Sequence, residues 1–382
     1  MNIFDYLDWR GDIPFAVDPF NYVDNLVLSE LAYARLKDVL TNENTVLSIE
    51  ELARRFFSLH TQEEIEKGSG YTARAPLLLL KMAHSGRYGG TKVFAHIDIL
   101  KPEKTEQMSA VSFLLPDHTV YAAYRGTDSS IAAWKEDFML SYLDRTSGQV
   151  RAEEYLNRHF TRGMLPLRVG GHSKGGNFAV YAAVKADEAV RKRIIQVYSN
   201  DGPGFRQAFI ESEAYQNTLP KIISIIPASS MIGQCMENEY VHLIVRSDNE
   251  GINQHDALSW QVMRNHFVEA SERTSESYFF DRTIRHWIEG ISDEDRRQFV
   301  DSLFSFYEAT GKQTMTEVKK IDPWTSMKVV LNHLNSMDRD EQRQFIEILL
   351  KLVRSANLVL TEEAQANIHS FIESRKENRQ KA

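Results

Sequence analysis

Cysteine is nearly absent: Cys235 is the single one in 382 residues. An intrachain disulfide framework is thereby excluded, and without a CxxC spacing or a Cys/His cluster no zinc site is read. Cys235 reads as a small core hydrophobe. An excess of positive charge is missing as well. With 45 Lys and Arg against 53 Asp and Glu, the formal net charge is −8, which gives no basis for nucleic-acid binding, because such proteins leave a basic footprint. No stretch approaches the ~20 consecutive apolar residues that span a bilayer, so no integral membrane segment is expected. Residues 1–8 lack a basic n-region and an apolar run, so no secretory signal is read and a cytoplasmic location is expected.

What is present has an ordinary globular balance, 42% hydrophobic and 26% charged. The length suits one large domain plus an appendage. Residues 1–22 carry Trp9, Pro14, Phe15, Pro19 and Phe20 among acids and read as an extended arm pinned by aromatics. From Asp24, the positions Val27, Leu28, Leu31, Ala32, Leu36 and Val39 follow helical spacing. Ser48 with Glu51 makes a capping box for a second helix, and Pro76 opens a third over 77–84. No chemistry is visible in this helical prelude. Strands are predicted at 92–100, 108–115 and 120–124, the last two joined as a hairpin through 116–118. His96 and His118 read as surface or strand-edge residues.

The chain is organised around GGHSKGG at residues 170–176. An apolar run at 165–169 reads as a buried strand before it, and the small apolar run 177–184 reads as a helix after it. G-x-S-x-G between strand and helix is a nucleophile elbow, whose strained turn holds a hydroxyl clear of the sheet. Ser173 is the candidate nucleophile. Side chains at Gly171 or Gly175 would collide with the neighbouring chain as the turn closes.

A second informative stretch is Arg125-Gly126-Thr127-Asp128, a tight turn after a strand. Acyl transfer needs donors aimed at a developing oxyanion. Thr127 is assigned through its backbone N–H, with its hydroxyl left open as a further donor, and the N–H of Lys174 supplies the second. The ammonium of Lys174 is expected to be solvated.

Tyr124-Arg125-Gly126-Thr127-Asp128 followed by Trp134 and Asp137, together with Gly171-His172-Ser173-Lys174-Gly175, resembles the class 3 lipases of the α/β-hydrolase fold, in particular their uncharacterised intracellular bacterial relatives. The likeness covers residues 25–260. It implies an α/β fold class with a mostly parallel sheet flanked by helices. It also implies that the turn residue matching Thr127 belongs to the oxyanion hole, and that the helix 131–142 can act as a lid. Ile131, Trp134, Phe138 and Tyr142 share one helical face. Lys135, Glu136 and Asp137 make that helix a poor membrane anchor, which favours a helix fixed against the core.

A serine needs an imidazole to take its proton and a third group to orient that imidazole. The fold's chain order is Ser, acid, His. His172 is set aside because adjacent side chains at a strand end point to opposite sides. His255, in the polar loop after the strand 240–245, is the candidate base, whereas His242 inside the strand reads as structural. Much of the resembled family carries its aspartate after the strand matching 222–227, but this chain continues Ala228-Ser229-Ser230 and offers no carboxylate there. One strand earlier, 194–200 runs into Asp201, a carboxylate in the right layer. Asp201 is assigned the orienting role, with Asp248 as the alternative.

From residue 273 the pattern is helical. Residues 292–301 and 338–347 look like copies of one unit, each with a cap, an acid three positions on and a Phe-led apolar face. The organisation expected is 1–272 as the lipase-like domain with its prelude and 273–382 as an all-helical appendage of two helical hairpins. That appendage is a possible surface for a protein partner or a homodimer, though its apolar stripes more often mean internal packing; the mixed-charge tail 374–381 reads as a fraying helix end.

These residues imply a serine hydrolase cleaving a small-molecule acyl ester, lipid or short-chain, through an acyl-enzyme on Ser173; thioester or amide cleavage would use the same groups. No cofactor or metal is required. The alternative is a catalytically silent hydrolase scaffold that binds a ligand or protein, for which the missing carboxylate after Pro227 speaks.

Overall fold

The computed structural model describes residues 1–68 and 72–380; the side chains of 323, 363–364 and 366–380 lie outside the described set, and with them the side chains of the tail 374–381. Eight strands form one sheet in strict sequence order: β1 (Leu47–Ser48), β2 (Lys92–Lys101), β3 (Glu106–Leu114), β4 (Val120–Tyr124), β5 (Leu167–His172), β6 (Ile194–Asn200), β7 (Ile222–Pro227) and β8 (His242–Val245). β1 to β4 are antiparallel neighbours, while β4 to β8 run parallel. The change follows from the connections, because a short turn reverses the chain whereas a helical crossover restores its direction. The turn 116–118 joins β3 to β4 as expected, with His118 at φ +61°.

Ahead of β2 lie α1 (Ile3–Arg10), α2 (Tyr22–Leu31), α3 (Ile49–Leu59) and α4 (Pro76–Ala83). Between and after the strands come α5 (Ile131–Met139), α6 (Ser147–Phe160), α7 (Lys174–Lys185), α8 (Ser275–Glu289), α9 (Asp293–Ala309), α10 (Pro323–Ser336) and α11 (Arg339–Gln380). Alternate strand residues feed two cores. Tyr121 and Ala123 join the helices of the prelude on one face, and Ala122 and Tyr124 join α6 and α7 on the other. The middle strands are buried on both faces and accordingly read as near-continuous apolar runs. This is an α/β-hydrolase-like architecture, a mostly parallel sheet flanked by helices with a helical C-terminal appendage.

The extended arm expected at 1–22 is corrected at its start, where α1 forms. Asn2 accepts from the N–H groups of Phe4 and Asp5, and Asp5 accepts from Asn2, so a capping box overrides the weak periodicity of the segment. The remainder is irregular and pinned by Phe15, edge-on to Tyr88 at 5.7 Å. The periodicity from Asp24 to Val39 overstates the helix: α2 stops at Leu31, and Leu36 and Val39 are buried from a 3-10 turn. Ser48 caps α3, but Glu51 turns to Arg54 and Arg55 instead of back to Ser48. His96 is buried, not a surface residue, because a bulge at Ala95 (φ +51°) turns it inward, and burial lowers its pKa.

In the C-terminal helices, Ser292 and Asp338 cap α9 and α11 at equivalent places. Phe299 and Phe345, at matching positions of the two similar segments, stack on each other at 5.3 Å. These helices share a third apolar cluster with Ile131 and Tyr142, which sit at and just beyond the ends of α5.

Candidate active site

The turn between β5 and α7 closes more tightly than any side chain permits. A Cβ at Gly171 would lie 2.4 Å from the carbonyl carbon of Gly175, and one at Gly175 would lie 2.2 Å from the Tyr124 oxygen. Ser173 takes φ +58° and ψ −132°, a conformation costing about 1–3 kcal/mol that surrounding bonds must hold. Its N–H donates to the Asn200 carbonyl at 2.9 Å, and the Asn200 amide donates to the Gly171 carbonyl at 3.1 Å.

Three side chains meet above this turn. Ser173 Oγ lies 3.0 Å from His255 Nε2, and His255 Nδ1 lies 2.6 Å from Asp201 Oδ2. With a carboxylate at Nδ1, that nitrogen carries the proton and Nε2 is left to accept from the serine. Asp201 follows β6 directly at φ +48°, and its other oxygen accepts from Ser230 Oγ at 2.5 Å and from the Gly233 N–H at 3.2 Å. Burial alone would raise the Asp201 pKa, but hydrogen bonds from His255 and Ser230 and the nearby imidazoles leave it lowered. The place after β7 that lacks a carboxylate thus supplies a donor to the carboxylate of β6. Asp248 is exposed and accepts from Gln261 at 2.7 Å, outside this chain of bonds.

His172 and the prelude, which the sequence left without a part, stand behind the base. His172 Nε2 donates to the His255 carbonyl at 2.9 Å, and the two rings lie 4.7 Å apart. Its Nδ1 faces Glu30 and the Tyr33 hydroxyl, both from or just after α2, each at 3.2 Å. Burial pushes His172 down to about 3 and holds Glu30 well above the usual carboxylate range. Burial thus favours the neutral form of both groups, and Glu30 Oε1 lies against Nδ1 without a hydrogen bond of its own. His242 is structural, its Nδ1 2.9 Å from Ser224 Oγ and its pKa pushed down to about 4 by burial.

The Arg125–Asp128 turn presses against the elbow: a Cβ at Gly126 would lie 3.1 Å from that of Ser173 and 2.2 Å from the Tyr33 hydroxyl. Thr127 donates its hydroxyl to Asp137 at 2.6 Å, which leaves its N–H as the donor it can offer a substrate. Lys174 opens α7, so its N–H has no carbonyl four residues back within the helix. Its side chain contradicts the expectation of a solvated ammonium. At 1% exposure it donates to Ala133 O at 3.1 Å and Glu136 at 3.3 Å, and lies 3.5 Å from Asp137. Burial would lower its pKa, but the charges of Asp137 and Glu136 more than offset this and keep it protonated. Removing one member of such a buried pair costs about 3–5 kcal/mol.

Among the described residues, no group of three or more His, Cys, Asp or Glu is placed to hold a metal ion. Burial pushes the Cys235 thiol up to about 12, so it is no competing nucleophile. No helix of the described residues is long and apolar enough to cross a membrane.

A family model described as Mbeg1-like matches residues 82–305, more than half of the chain. No curated protein matches it. Among solved structures, a fungal lipase–inhibitor complex is similar at 15% identity and a TM-score of 0.31, over 41% of this chain and 65% of that one. The propeptide complex of Rhizomucor miehei lipase is similar at 14% identity and 0.32, over 44% and 65%. M37 lipase is similar at 14% and 0.34, over 55% and 68%. The matched part thus spans 65% of the length of the first two relatives.

Proposed function

The chain belongs to the Mbeg1-like family, and from that premise and the geometry of the site we propose that it is a serine hydrolase cleaving small-molecule acyl esters. The observation that carries this reading is the unbroken run of hydrogen bonds from Asp201 through His255 to Ser173. Ser173 Oγ attacks the acyl carbon while His255 Nε2 takes the hydroxyl proton, and Asp201 holds the imidazole in the right tautomer and stabilises its charged form. The oxyanion is met by the N–H groups of Thr127 and Lys174. His255 then gives its proton to the leaving alcohol. Water, deprotonated by the same nitrogen, attacks the acyl-serine and releases the acid. A thioester would pass through the same steps.

The silent-scaffold alternative drew on the missing carboxylate after Pro227, and Asp201 on the neighbouring strand meets that need. A fluorophosphonate probe tests the choice. Wild type should label and Ser173→Ala should not, with both folded by circular dichroism; a folded wild type that stays unlabelled at an accessible serine removes the hydrolase reading.

A further inference from the structure

Helix α5 lies over the oxyanion turn and is held from both sides. On its inner face Glu136, fully buried, accepts from the N–H groups of Gly148 at 2.6 Å and Gln107 at 3.3 Å as well as from Lys174. One carboxylate thereby ties α5 to β3, α6 and the elbow together. Beside it Asp137 accepts from Thr127, so any excursion of α5 would release the residue whose N–H the oxyanion needs. On the outer face Lys135 pairs with Asp301 of α9 at 2.9 Å, and Phe138 meets Phe304 edge-on at 5.5 Å. The start of the helix is bonded to the chain after α9, through Ile131 N–H to Gln313 O at 3.0 Å and Met315 N–H to Ser129 O at 2.8 Å.

A helix that had to leave for substrate to enter would be the cover of a sealed nucleophile. Here Ser173 is half-buried and the His255 side chain keeps 15% of its exposure with α5 docked. A lipid surface that drew α5 outward would have to separate it from α9 and break a buried ion pair beneath it.

We propose that α5 stays docked throughout turnover and that the site takes its acyl ester as a single dissolved molecule, not from a lipid–water interface. The proposal rests on the hydrolase reading above and names the substrate class of that site.

The test joins α5 to α9 covalently. Lys135→Cys and Asp301→Cys are combined in a Cys235→Ala background, because the native thiol is free and only half-buried, and are bridged by a short bismaleimide. The readouts are the labelling rate of Ser173 by a dissolved fluorophosphonate and the hydrolysis of a short-chain p-nitrophenyl ester and of tributyrin across its solubility limit. Bridged and unbridged protein should agree within about twofold, a change of no more than ~0.4 kcal/mol in barrier, and tributyrin rates should saturate smoothly through the solubility limit. A tenfold loss on bridging that the singly substituted, maleimide-treated proteins do not show overturns the docked helix. So does a severalfold jump in rate where tributyrin forms droplets. Failure of wild type to label or turn over at all removes the hydrolase reading and this proposal with it, and is thereby distinct from either of those results.

Discussion

A carboxylate buried as completely as Asp201 is tolerated only when its lone pairs are met, and here His255, Ser230 and Gly233 meet them. Asp201→Asn would present an amide to His255 and favour the wrong tautomer, so kcat for an ester should fall by about 10⁴-fold with the fold intact. Asp248→Asn, at an exposed site bonded to Gln261, should leave kcat within about twofold. Ser230→Ala removes a donor to a charged group, which costs about 1.5–3 kcal/mol. Because the folded Asp201 pKa is lowered, its contribution is present above the ordinary carboxylate value and is lost as pH falls through the folded value. Urea titrations of Ser230→Ala and wild type should therefore differ most near pH 7 and converge in acid. Ser173, His255 and Asp201 were legible because each stands at the C-terminal end of a readable strand or in the loop beyond it. Ser230 was not, because a serine after β7 announces nothing until β6 is known to lie beside β7. Lys174 was misread for a related reason: the acids that neutralise it, Glu136 and Asp137, lie almost forty positions earlier on a helix whose placement the sequence leaves open.

At the scale of elements, α2 and β5 are joined through Glu30 and His172, a contact across 142 positions that no local pattern reveals. Capping chemistry marked where helices start at Ser48 and Ser292, but the cap at Asn2 passed unread among the aromatics and acids of the arm, and apolar spacing alone could not separate the end of α2 from the buried 3-10 turn after it. The neutral Glu30–His172 pair gives a pH signature. The folded His172 pKa of about 3 lies below its ordinary value near 6.5, so its contribution is present above about pH 6.5 and is lost as pH falls toward 3. Glu30 has the opposite sign, its pKa being raised: its contribution is present below its ordinary value and fades as pH rises through the raised one. His172→Gln, which keeps a donor but cannot titrate, should lose less stability than wild type between pH 7 and pH 4 by denaturant midpoint; equal losses would remove His172 as the titrating group. The turn beside this pair is equally constrained. A Cβ at Gly126 would lie 2.2 Å from the Tyr33 hydroxyl and 2.5 Å from the His172 carbonyl oxygen. Gly126→Ala should cost about 1–3 kcal/mol and, by shifting Thr127, lower kcat by at least about tenfold.

For the molecule as a whole, the sheet with its two cores and the C-terminal helices are joined through α5, whose inner side serves the elbow and whose outer side belongs to the third cluster. Phe304 is buried at that junction, against Phe138 on one side and Tyr307 on the other. Truncating it deletes contacts on both sides of the seam, and Phe304→Ala should destabilise by about 3–5 kcal/mol. Where that loss appears tells how the parts are coupled. If α5 and α9 open as one unit, amide hydrogen exchange should accelerate together in residues 131–142 and 293–309 while β5 and β6, buried on both faces, keep their protection. Ester turnover should then fall along with the exchange protection of 131–142, because Asp137, which holds Thr127, travels with the helix. Faster exchange confined to 293–309, with 131–142 and turnover unchanged, would mean instead that Glu136 and Lys174 hold α5 without help from the C-terminal helices.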